Sequence, residues 1–320
     1  MIAVNSNDRF LTLDQANAGF AHYLKDEDWQ VYQGLEAILA DRPEEVEILF
    51  NSAKLDPDEL RQLPNLRWIF SYSAGVNNYP LDTIREMKVQ LTNTSGVHGP
   101  SISEQVLGAM IMFSRNLLTA RANQEKKIFD QSITGDELWG KRLLIVGAGS
   151  IGQVLARRAK AFDMDVVGIR RHHGGEVPEH FDAVYTLDDL GEQLALSDYV
   201  VSILPSTPDT QGLFGLEQFQ VMRPSAVFIN VGRGDTVKEA ELIVALEQGL
   251  IRGAYLDVFE LEPLPEESPL WQMENVLITP HNAGPTPHYF ERAMGIFLDN
   301  LERFRQGKPM RNLVDLAAGY

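Results

Sequence analysis

The chain has 320 residues, of which 44% are hydrophobic and 23% are charged, a composition that excludes a disordered chain or a collagen-like fibre. It carries 28 lysines and arginines against 45 aspartates and glutamates, and the resulting net charge of −17 argues against a general nucleic-acid or membrane binder. Because the chain has no cysteine, disulfides, thiolate nucleophiles and cysteine-ligated metal sites are excluded.

The compartment and the number of domains also follow from simple counts. The first residues lack the basic region of a secretory leader, and no apolar run approaches the ~18 residues of a transmembrane helix. We therefore expect a soluble cytoplasmic protein. At roughly 150 residues per domain, the length predicts about two domains.

Short apolar runs alternate with helical stretches over residues 1–95. Strands are predicted at 46–50 and 66–70, and between them Asp56 is placed to cap a helix that Pro57 begins. Such alternation is typical of a parallel sheet covered by helices.

One long apolar helix is predicted next, over residues 102–125. Ser101 and Glu104 have the spacing of a capping box, in which a serine at the helix start is followed by a glutamate three residues later. This helix is expected to join two lobes or to bury against a partner subunit.

The alternation of strands and helices resumes from Arg142 to about Pro280. Thr286 and Pro287 are then predicted to open a final helix that ends near Gln306, with the chain returning to the first lobe and Gly307 just beyond the helix. Near-continuous apolar runs predict five strands covered on both faces, at 143–146, 166–169, 199–204, 226–229 and 276–278.

A glycine-rich loop follows the strand at 143–146. The pattern G-x-G-x-x-G permits a tight turn, close approach of a pyrophosphate and close packing of the next helix on the strand. Free N–H groups at the start of that helix favour a negatively charged ligand. Strand, loop, helix and second strand together predict dinucleotide binding rather than a purely structural turn, with these candidate contacts: Gly147, Gly149, Ser150, Ile151 and Gly152.

The end of the second strand indicates which dinucleotide binds. A site for NAD usually has an acid there, which accepts hydrogen bonds from the ribose hydroxyls. This chain instead has Arg170, 18 residues after Gly152, and then Arg171. Because a guanidinium pairs bidentately with a 2′-phosphate, NADP is predicted as the preferred cofactor, with NAD as the alternative if the arginines are merely solvated. His172 and His173 are expected at the surface or beside that phosphate. No metal site is predicted for this pair, because the side chains of adjacent residues in an extended chain point to opposite faces and would not both bind one ion.

Three later segments each follow a strand candidate and carry charged residues. They are N-V-G-R-G with Arg233, D-V-F-E-L-E-P with Glu260 and Glu262, and T-P-H with His281. The carboxyl ends of the strands in a doubly wound sheet converge on one crevice. There an arginine would bind a carboxylate and polarise the adjacent carbonyl, and a histidine would supply the proton as hydride reaches carbon. One of the two glutamates would hold the other nitrogen of the histidine ring.

These motifs, with the glycine loop and the order of elements, closely resemble the D-isomer-specific 2-hydroxyacid dehydrogenase family. That family includes D-lactate, D-glycerate, glyoxylate/hydroxypyruvate and 3-phosphoglycerate enzymes, and the resemblance covers nearly the whole chain. It implies Arg233 as the substrate-binding and polarising residue, Glu262 rather than Glu260 as the orienting acid, and His281 as the general acid–base that also contacts substrate.

The resemblance also implies the surroundings of the reacting groups. The loop 73–76 matches the family's loop whose backbone amides hold the substrate carboxylate, here at Ala74 and Gly75. Asn77 stands where many members have aspartate after this loop, and Gly284 where some hydroxypyruvate reductases have serine. Besides the 230–233 backbone, the resemblance implies these residues near the cofactor: Leu204, Pro205, Val231 and Asp257. The alternative for Asp257 is a structural role as the cap of a turn at its strand end.

The resemblance further implies an α/β protein of two doubly wound parallel-sheet domains. Residues 1–98 and 286–320 would form a flavodoxin-like substrate domain, and residues 99–285 a Rossmann domain that binds the dinucleotide. It implies a homodimer in which the 102–125 region is buried between subunits.

The leading hypothesis is reversible reduction of a short 2-keto acid, such as glyoxylate or hydroxypyruvate, to its D-2-hydroxy acid with NAD(P)H. A second is a dinucleotide-sensing scaffold similar to the transcriptional corepressors that resemble this family, although the negative charge and the lack of a basic tail count against it. A third is D-3-phosphoglycerate dehydrogenase. A fourth, formate oxidation, needs polar substrate contacts that the sequence does not offer.

Overall fold

The computed structural model describes residues 1–6, 11–76, 78–171 and 176–317, so that Asn77, His172 and His173 lie outside the described residues. The chain divides into two compact units, one comprising Met1–Val97 with Pro287–Tyr320 and the other His98–Thr286. Each unit is built on one parallel β-sheet. The described strands are β1 (Ile2–Ser6), β2 (Trp29–Gln33), β3 (Ile48–Asn51), β4 (Trp68–Ser71), β5 (Gln90–Thr92), β6 (Arg142–Val146), β7 (Asp165–Ile169), β8 (Ala183–Tyr185), β9 (Tyr199–Ser202), β10 (Val227–Asn230), β11 (Gly253–Leu256) and β12 (Val276–Ile278).

Helices cover both faces of each sheet. Among those in the described ranges, none is at once long and apolar enough to cross a membrane. They are α1 (Leu13–Tyr23), α2 (Leu35–Asp41), α3 (Pro57–Leu60), α4 (Leu81–Glu86), α5 (Gly99–Ser114), α6 (Leu117–Glu125), α7 (Ser150–Lys160), α8 (Leu190–Leu196), α9 (Leu216–Val221), α10 (Glu239–Glu247) and α11 (Tyr289–Arg305).

The first unit has the strand order β2-β1-β3-β4-β5, which is the flavodoxin-like order. Side chains alternate between the two faces of each strand, and both faces are buried. Trp68 and Phe70 point to the face covered by α1 and α11, where Phe297 stacks on Trp68 with ring centroids 5.2 Å apart. Leu49 and Ile69 point to the opposite face, with α2, α3 and α4. The aromatic packing therefore ties the last helix into this unit.

The second unit has the order β12-β11-β10-β9-β6-β7-β8, with every pair parallel. The order reverses between β6 and β9, as in a Rossmann fold, and the prediction of two doubly wound parallel sheets is confirmed. All five predicted strands are present, as β6, β7, β9, β10 and β12. The sheet also contains β8 and β11, which were not among the five predicted strands.

The prediction of one helix over 102–125 was wrong. The segment forms α5 and α6, which are separated at Asn116, whose φ is +52°. Asparagine tolerates this left-handed conformation. Its side chain donates to the carbonyl of Thr134 (2.6 Å) and accepts from Arg252 (2.7 Å), and Arg252 also donates to the carbonyl of Phe113. Contacts with distant residues therefore break a helix that local periodicity would continue.

The predicted capping box was also wrong. The helix α5 begins two residues before Ser101, and Pro100 lies in its first turn. Proline is tolerated there because the backbone amides of the first turn have no hydrogen-bond partner within the helix. The Ser101 hydroxyl donates to the carbonyls of His98 (3.2 Å) and Gly284 (2.9 Å) instead of accepting from a backbone amide. A proline in the first turn thus sets this helix start.

Two other predicted helix ends are confirmed. The Asp56 carboxylate accepts from the backbone amides of Asp58 (2.9 Å) and Glu59 (3.1 Å) at the start of α3. The final helix, α11, has Gln306 as its C-cap and Gly307 beyond it with φ +63°, a conformation that favours glycine. It begins at residue 289, three residues later than predicted.

Candidate active site

The glycine loop shows the three roles that its pattern predicts. Gly147 has φ +109°, and a Cβ atom there would lie 2.8 Å from the carbonyl oxygen of Ile203. A Cβ atom on Gly152 would lie 2.7 Å from the carbonyl oxygen of Gly147, so only glycine lets α7 pack this closely on β6. A Cβ atom on Gly149, at the N-cap of α7, would meet nothing within 4 Å. The backbone is thus open where a pyrophosphate would approach, and the loop fits a dinucleotide.

The two arginines predicted to select the cofactor follow β7. Arg170 is half-buried, and its amide donates to the carbonyl of Tyr185 at 3.0 Å. Arg171 is exposed, and its Nη2 lies 2.8 Å from Oδ2 of Asp209. Both residues are thus at the carboxyl end of the strand next to β6, and the role of their guanidinium groups in binding the 2′-phosphate stays a prediction.

The two other segments predicted near the cofactor lie against each other. A Cβ atom on Gly232 would be 2.6 Å from the carbonyl oxygen of Leu204, so the loop after β10 touches the Leu204–Pro205 segment after β9. Val231 is buried, and its amide donates to the carbonyl of Ser202 at 3.1 Å. The topology therefore assembles the implied cofactor segments of this unit at one edge of its sheet.

Three hydrogen bonds hold the backbone at Gly232 and Arg233. The carbonyl of Arg233 accepts from the Asn230 side chain (3.1 Å) and from the Thr236 hydroxyl (2.7 Å), while the Asn230 oxygen accepts from the Gly232 amide (3.1 Å). A Cβ atom on Gly234 would lie 1.8 Å from the carbonyl oxygen of Phe259, so this loop lies directly against the loop after β11. The Arg233 side chain itself is exposed and accessible to a ligand.

Glu262, and not Glu260, contacts the histidine. Nδ1 of His281 lies 2.8 Å from Oε2 of Glu262, whose other oxygen accepts from the Phe259 amide at 3.1 Å. Glu260 accepts instead from the Glu239 amide at 3.2 Å. In the described part of the chain, no hydrogen bond engages Nε2 of His281. A carboxylate on Nδ1 keeps a proton on that nitrogen, which leaves Nε2 for proton transfer.

Asp257 holds the loop that carries His281. Its buried carboxylate accepts from the amides of Asn282 (3.0 Å) and Ala283 (3.1 Å) and from the Thr279 hydroxyl, and its carbonyl accepts from the His281 amide (2.8 Å). These contacts help to keep His281 in a left-handed conformation with φ +51°. They match the interpretation of Asp257 as a turn cap, and its contact with the cofactor stays a prediction.

The sequence did not predict a half-buried hydrogen-bond network behind this loop. Nε2 of Gln105 in α5 donates to the Tyr255 hydroxyl (2.6 Å) and to the Thr279 hydroxyl (3.2 Å), which are themselves 2.9 Å apart. Burial raises the pKa of Tyr255 to about 12, so this hydroxyl stays neutral and can donate. A glutamine on an apolar helix face was the available signal, but the sequence does not show which distant strands it meets.

The loop 73–76 belongs to the first unit and follows β4. The Ser71 hydroxyl donates to the carbonyl of Ser73 (3.0 Å), and the Asn93 side chain donates to the carbonyl of Ala74 (2.9 Å). These bonds fix the loop, and the sequence pattern did not single out Asn93. Substrate binding by the amides of Ala74 and Gly75 stays a prediction.

The predicted reactive groups of the second unit lie at adjacent strand ends. Arg233 follows β10, Glu262 follows β11 and His281 follows β12, and these three strands are neighbours in the sheet. A guanidinium on a fixed loop and a carboxylate-oriented imidazole at one sheet edge can bind an anion, polarise a carbonyl and transfer a proton.

Comparisons with known proteins agree with this arrangement. Residues 107–283 match the family model "D-isomer specific 2-hydroxyacid dehydrogenase, NAD binding domain". Glyoxylate/hydroxypyruvate reductase B of Shigella boydii is 37% identical over 273 residues, which cover 84% of each chain. A D-isomer specific 2-hydroxyacid dehydrogenase of Xanthobacter autotrophicus, solved with NADPH, is 29% identical with a TM-score of 0.84 over 100% of this chain and 99% of that one. An NADPH-dependent glyoxylate/hydroxypyruvate reductase of Sinorhizobium meliloti, solved with NADP and sulfate, is 28% identical with a TM-score of 0.81. The match covers 100% of this chain and 99% of that one.

Proposed function

This chain belongs to the D-isomer-specific 2-hydroxyacid dehydrogenase family, and from that premise we propose that it reduces glyoxylate or hydroxypyruvate with NADPH. It is an oxidoreductase of 2-hydroxy acids that uses NAD(P). The observation that carries the proposal is the 2.8 Å contact between Glu262 and His281 on strand ends next to the Arg233 loop. The family's D-2-hydroxy acid is the expected product, and a dinucleotide-sensing scaffold is not favoured.

Three side chains would bind the substrate, polarise its keto group and supply the proton. The bound reduced nicotinamide supplies the hydride. Arg233 binds the substrate carboxylate and polarises the keto oxygen, whose negative charge grows during reduction. His281 donates the proton from Nε2 to that oxygen, while Glu262 stabilises the charged imidazole and keeps its orientation.

A substrate panel tests the proposal. We expect kcat/KM to be highest for glyoxylate or hydroxypyruvate, ahead of pyruvate, 2-ketobutyrate, 2-ketoisocaproate, phenylpyruvate and 3-phosphohydroxypyruvate, because the named relatives reduce small polar keto acids. Each acid is assayed with both reduced nicotinamides, and formate with NAD serves as a separate arm. Preference for a bulky or phosphorylated acid would contradict the substrate assignment. Dinucleotide binding with negligible turnover of every acid would favour the scaffold.

The choice of cofactor is tested at Arg170. Arg170→Asp is expected to raise KM for NADPH at least tenfold and to change KM for NADH less, because a carboxylate repels the 2′-phosphate and accepts bonds from ribose hydroxyls. Steady-state kinetics with both cofactors measure the effect. Equal losses for NADPH and NADH, or no change, would remove Arg170 from cofactor selection.

We also propose a homodimer formed through the second unit. Large apolar side chains at Leu117, Ile128, Phe129 and Trp139 are exposed, with Phe129 90% and Trp139 70% accessible. Exposed apolar side chains of this kind, on α6 and in the segment after it, support a subunit interface. A cytoplasmic location stays a prediction.

A further inference from the structure

An ion pair joins the two loops on either side of the glycine loop. The strand β6 lies between β9 and β7, and Val146 at its end is in register with Ser202 of β9 and with Ile169 of β7. Neighbouring strands are about 4.8 Å apart, so β9 and β7 are separated by roughly 10 Å. Arg171 follows β7 and Asp209 follows β9, and their side chains meet at 2.8 Å. The pair therefore spans the width of the strand that leads into the predicted pyrophosphate loop.

Hydrogen bonds hold the backbone near each end of this ion pair. The Thr210 hydroxyl donates to the carbonyl of Pro205 (2.7 Å) and accepts from the Thr207 amide (2.9 Å), which fixes the turn that carries Asp209. On the other side, the amides of Gly147 and Ala148 both donate to the carbonyl of Ile169 at 3.0 Å, two residues before Arg171. Asp209 is thus placed beside Arg171, at the end of the strand where the cofactor's ribose is predicted to bind, although the two residues are distant in sequence.

We propose that Asp209 is a determinant of coenzyme preference, and that it restrains the binding of NADP relative to NAD. The inference rests on the proposed function in one respect, namely that the ribose of the dinucleotide lies at the end of β7. A carboxylate there repels a 2′-phosphate and competes with it for the guanidinium of Arg171. The same carboxylate is the group that accepts hydrogen bonds from a ribose 2′-hydroxyl. Asp209 therefore supplies from the β9 loop the acid that is missing from the end of β7.

Equilibrium binding tests this inference independently of turnover. Isothermal titration with NADP⁺ and with NAD⁺ gives Kd for the wild type, for Asp209→Asn, for Arg171→Gln and for the double variant. We expect Asp209→Asn to lower Kd for NADP⁺ about three- to tenfold and to leave Kd for NAD⁺ unchanged or raised. The gain is expected to shrink in the Arg171→Gln background, because the arginine over which carboxylate and phosphate compete is then absent.

The control is Asp163→Asn, which removes an exposed acid just before the opposite end of β7. A general gain from lower net negative charge would improve NADP⁺ binding equally in this variant and would overturn the inference. Equal effects of Asp209→Asn on both dinucleotides, no effect, or weaker NADP⁺ binding would also overturn it. Exposed ion pairs contribute little to stability, so the variants are expected to fold.

The outcomes also separate this inference from the proposed function. Normal dinucleotide binding without keto-acid turnover would contradict the proposed reaction and leave the binding comparison intact. A wild type that prefers NAD⁺ would contradict the NADP assignment. The change that Asp209→Asn causes in the ratio of Kd for NADP⁺ to Kd for NAD⁺ would still decide the role of Asp209. Failure of the wild type to bind either dinucleotide would overturn both.

Discussion

Replacing His281 is expected to lower kcat for keto-acid reduction about a thousandfold, within the range measured for loss of a general acid. Glu262 holds Nδ1 of the imidazole, and Nε2 is the atom proposed to deliver the proton. His281→Asn is the better variant, because asparagine accepts the left-handed backbone at φ +51° and alanine does not do so readily. Single-turnover and steady-state rates with glyoxylate and NADPH measure the effect.

Two matched variants accompany this experiment. Glu262→Gln keeps an acceptor oxygen for Nδ1 but loses the charge that stabilises the imidazolium, so a smaller loss is expected than for His281→Asn. His22→Ala removes an exposed histidine of α1 and is expected to leave kcat unchanged. Unchanged kcat in His281→Asn, with dinucleotide binding and Tm preserved, would exclude His281 as the acid.

Replacing Arg233 by alanine is expected to lower kcat/KM for the keto acid by about a thousandfold or more. The variant would lose both the proposed contact with the substrate carboxylate and the positive charge next to the developing oxyanion, so KM is expected to rise and kcat to fall together. The exposed guanidinium contributes little to packing, and Kd for the dinucleotide and Tm are expected to change little. Full progress curves over a wide range of keto-acid concentration measure KM and kcat separately.

The charge-preserving variant separates the two contributions of this arginine. Arg233→Lys keeps a point charge but not the planar pair of donors, so it is expected to recover part of kcat while KM stays high. Arg157→Ala, on the exposed face of α7 near its end, is the control for loss of a surface arginine. Activity in Arg233→Ala equal to that of Arg157→Ala would remove Arg233 from the site.

Local patterns in the sequence predicted those parts of the site that depend on contiguous residues. The glycine loop is one such part, because the turn, the backbone opening and the helix start are all formed by Gly147–Gly152. The identification of Arg233 and His281 as candidates also needed only a strand followed by a charged residue. Their placement at neighbouring strand ends follows from the parallel order of β10, β11 and β12.

Other features depend on contacts between residues far apart in the chain. The charged segment alone offered both Glu260 and Glu262, and only the family resemblance favoured Glu262. The direction in which the chain turns after β11 gives the histidine contact to Glu262. The break between α5 and α6 depends on Arg252 and Thr134, which no local periodicity can reveal.

By itself, then, the sequence determined the family, the doubly wound class of the fold and the chemical types of the reactive side chains, since each is encoded in short patterns. Tertiary structure decided which polar partner each reactive group receives. The physical reason is that a hydrogen bond or ion pair forms only between atoms about 3 Å apart, and packing of distant segments sets those distances. Asp257 beneath the His281 loop and Asp209 beside Arg171 are two examples of carboxylates whose partners only the fold assigns.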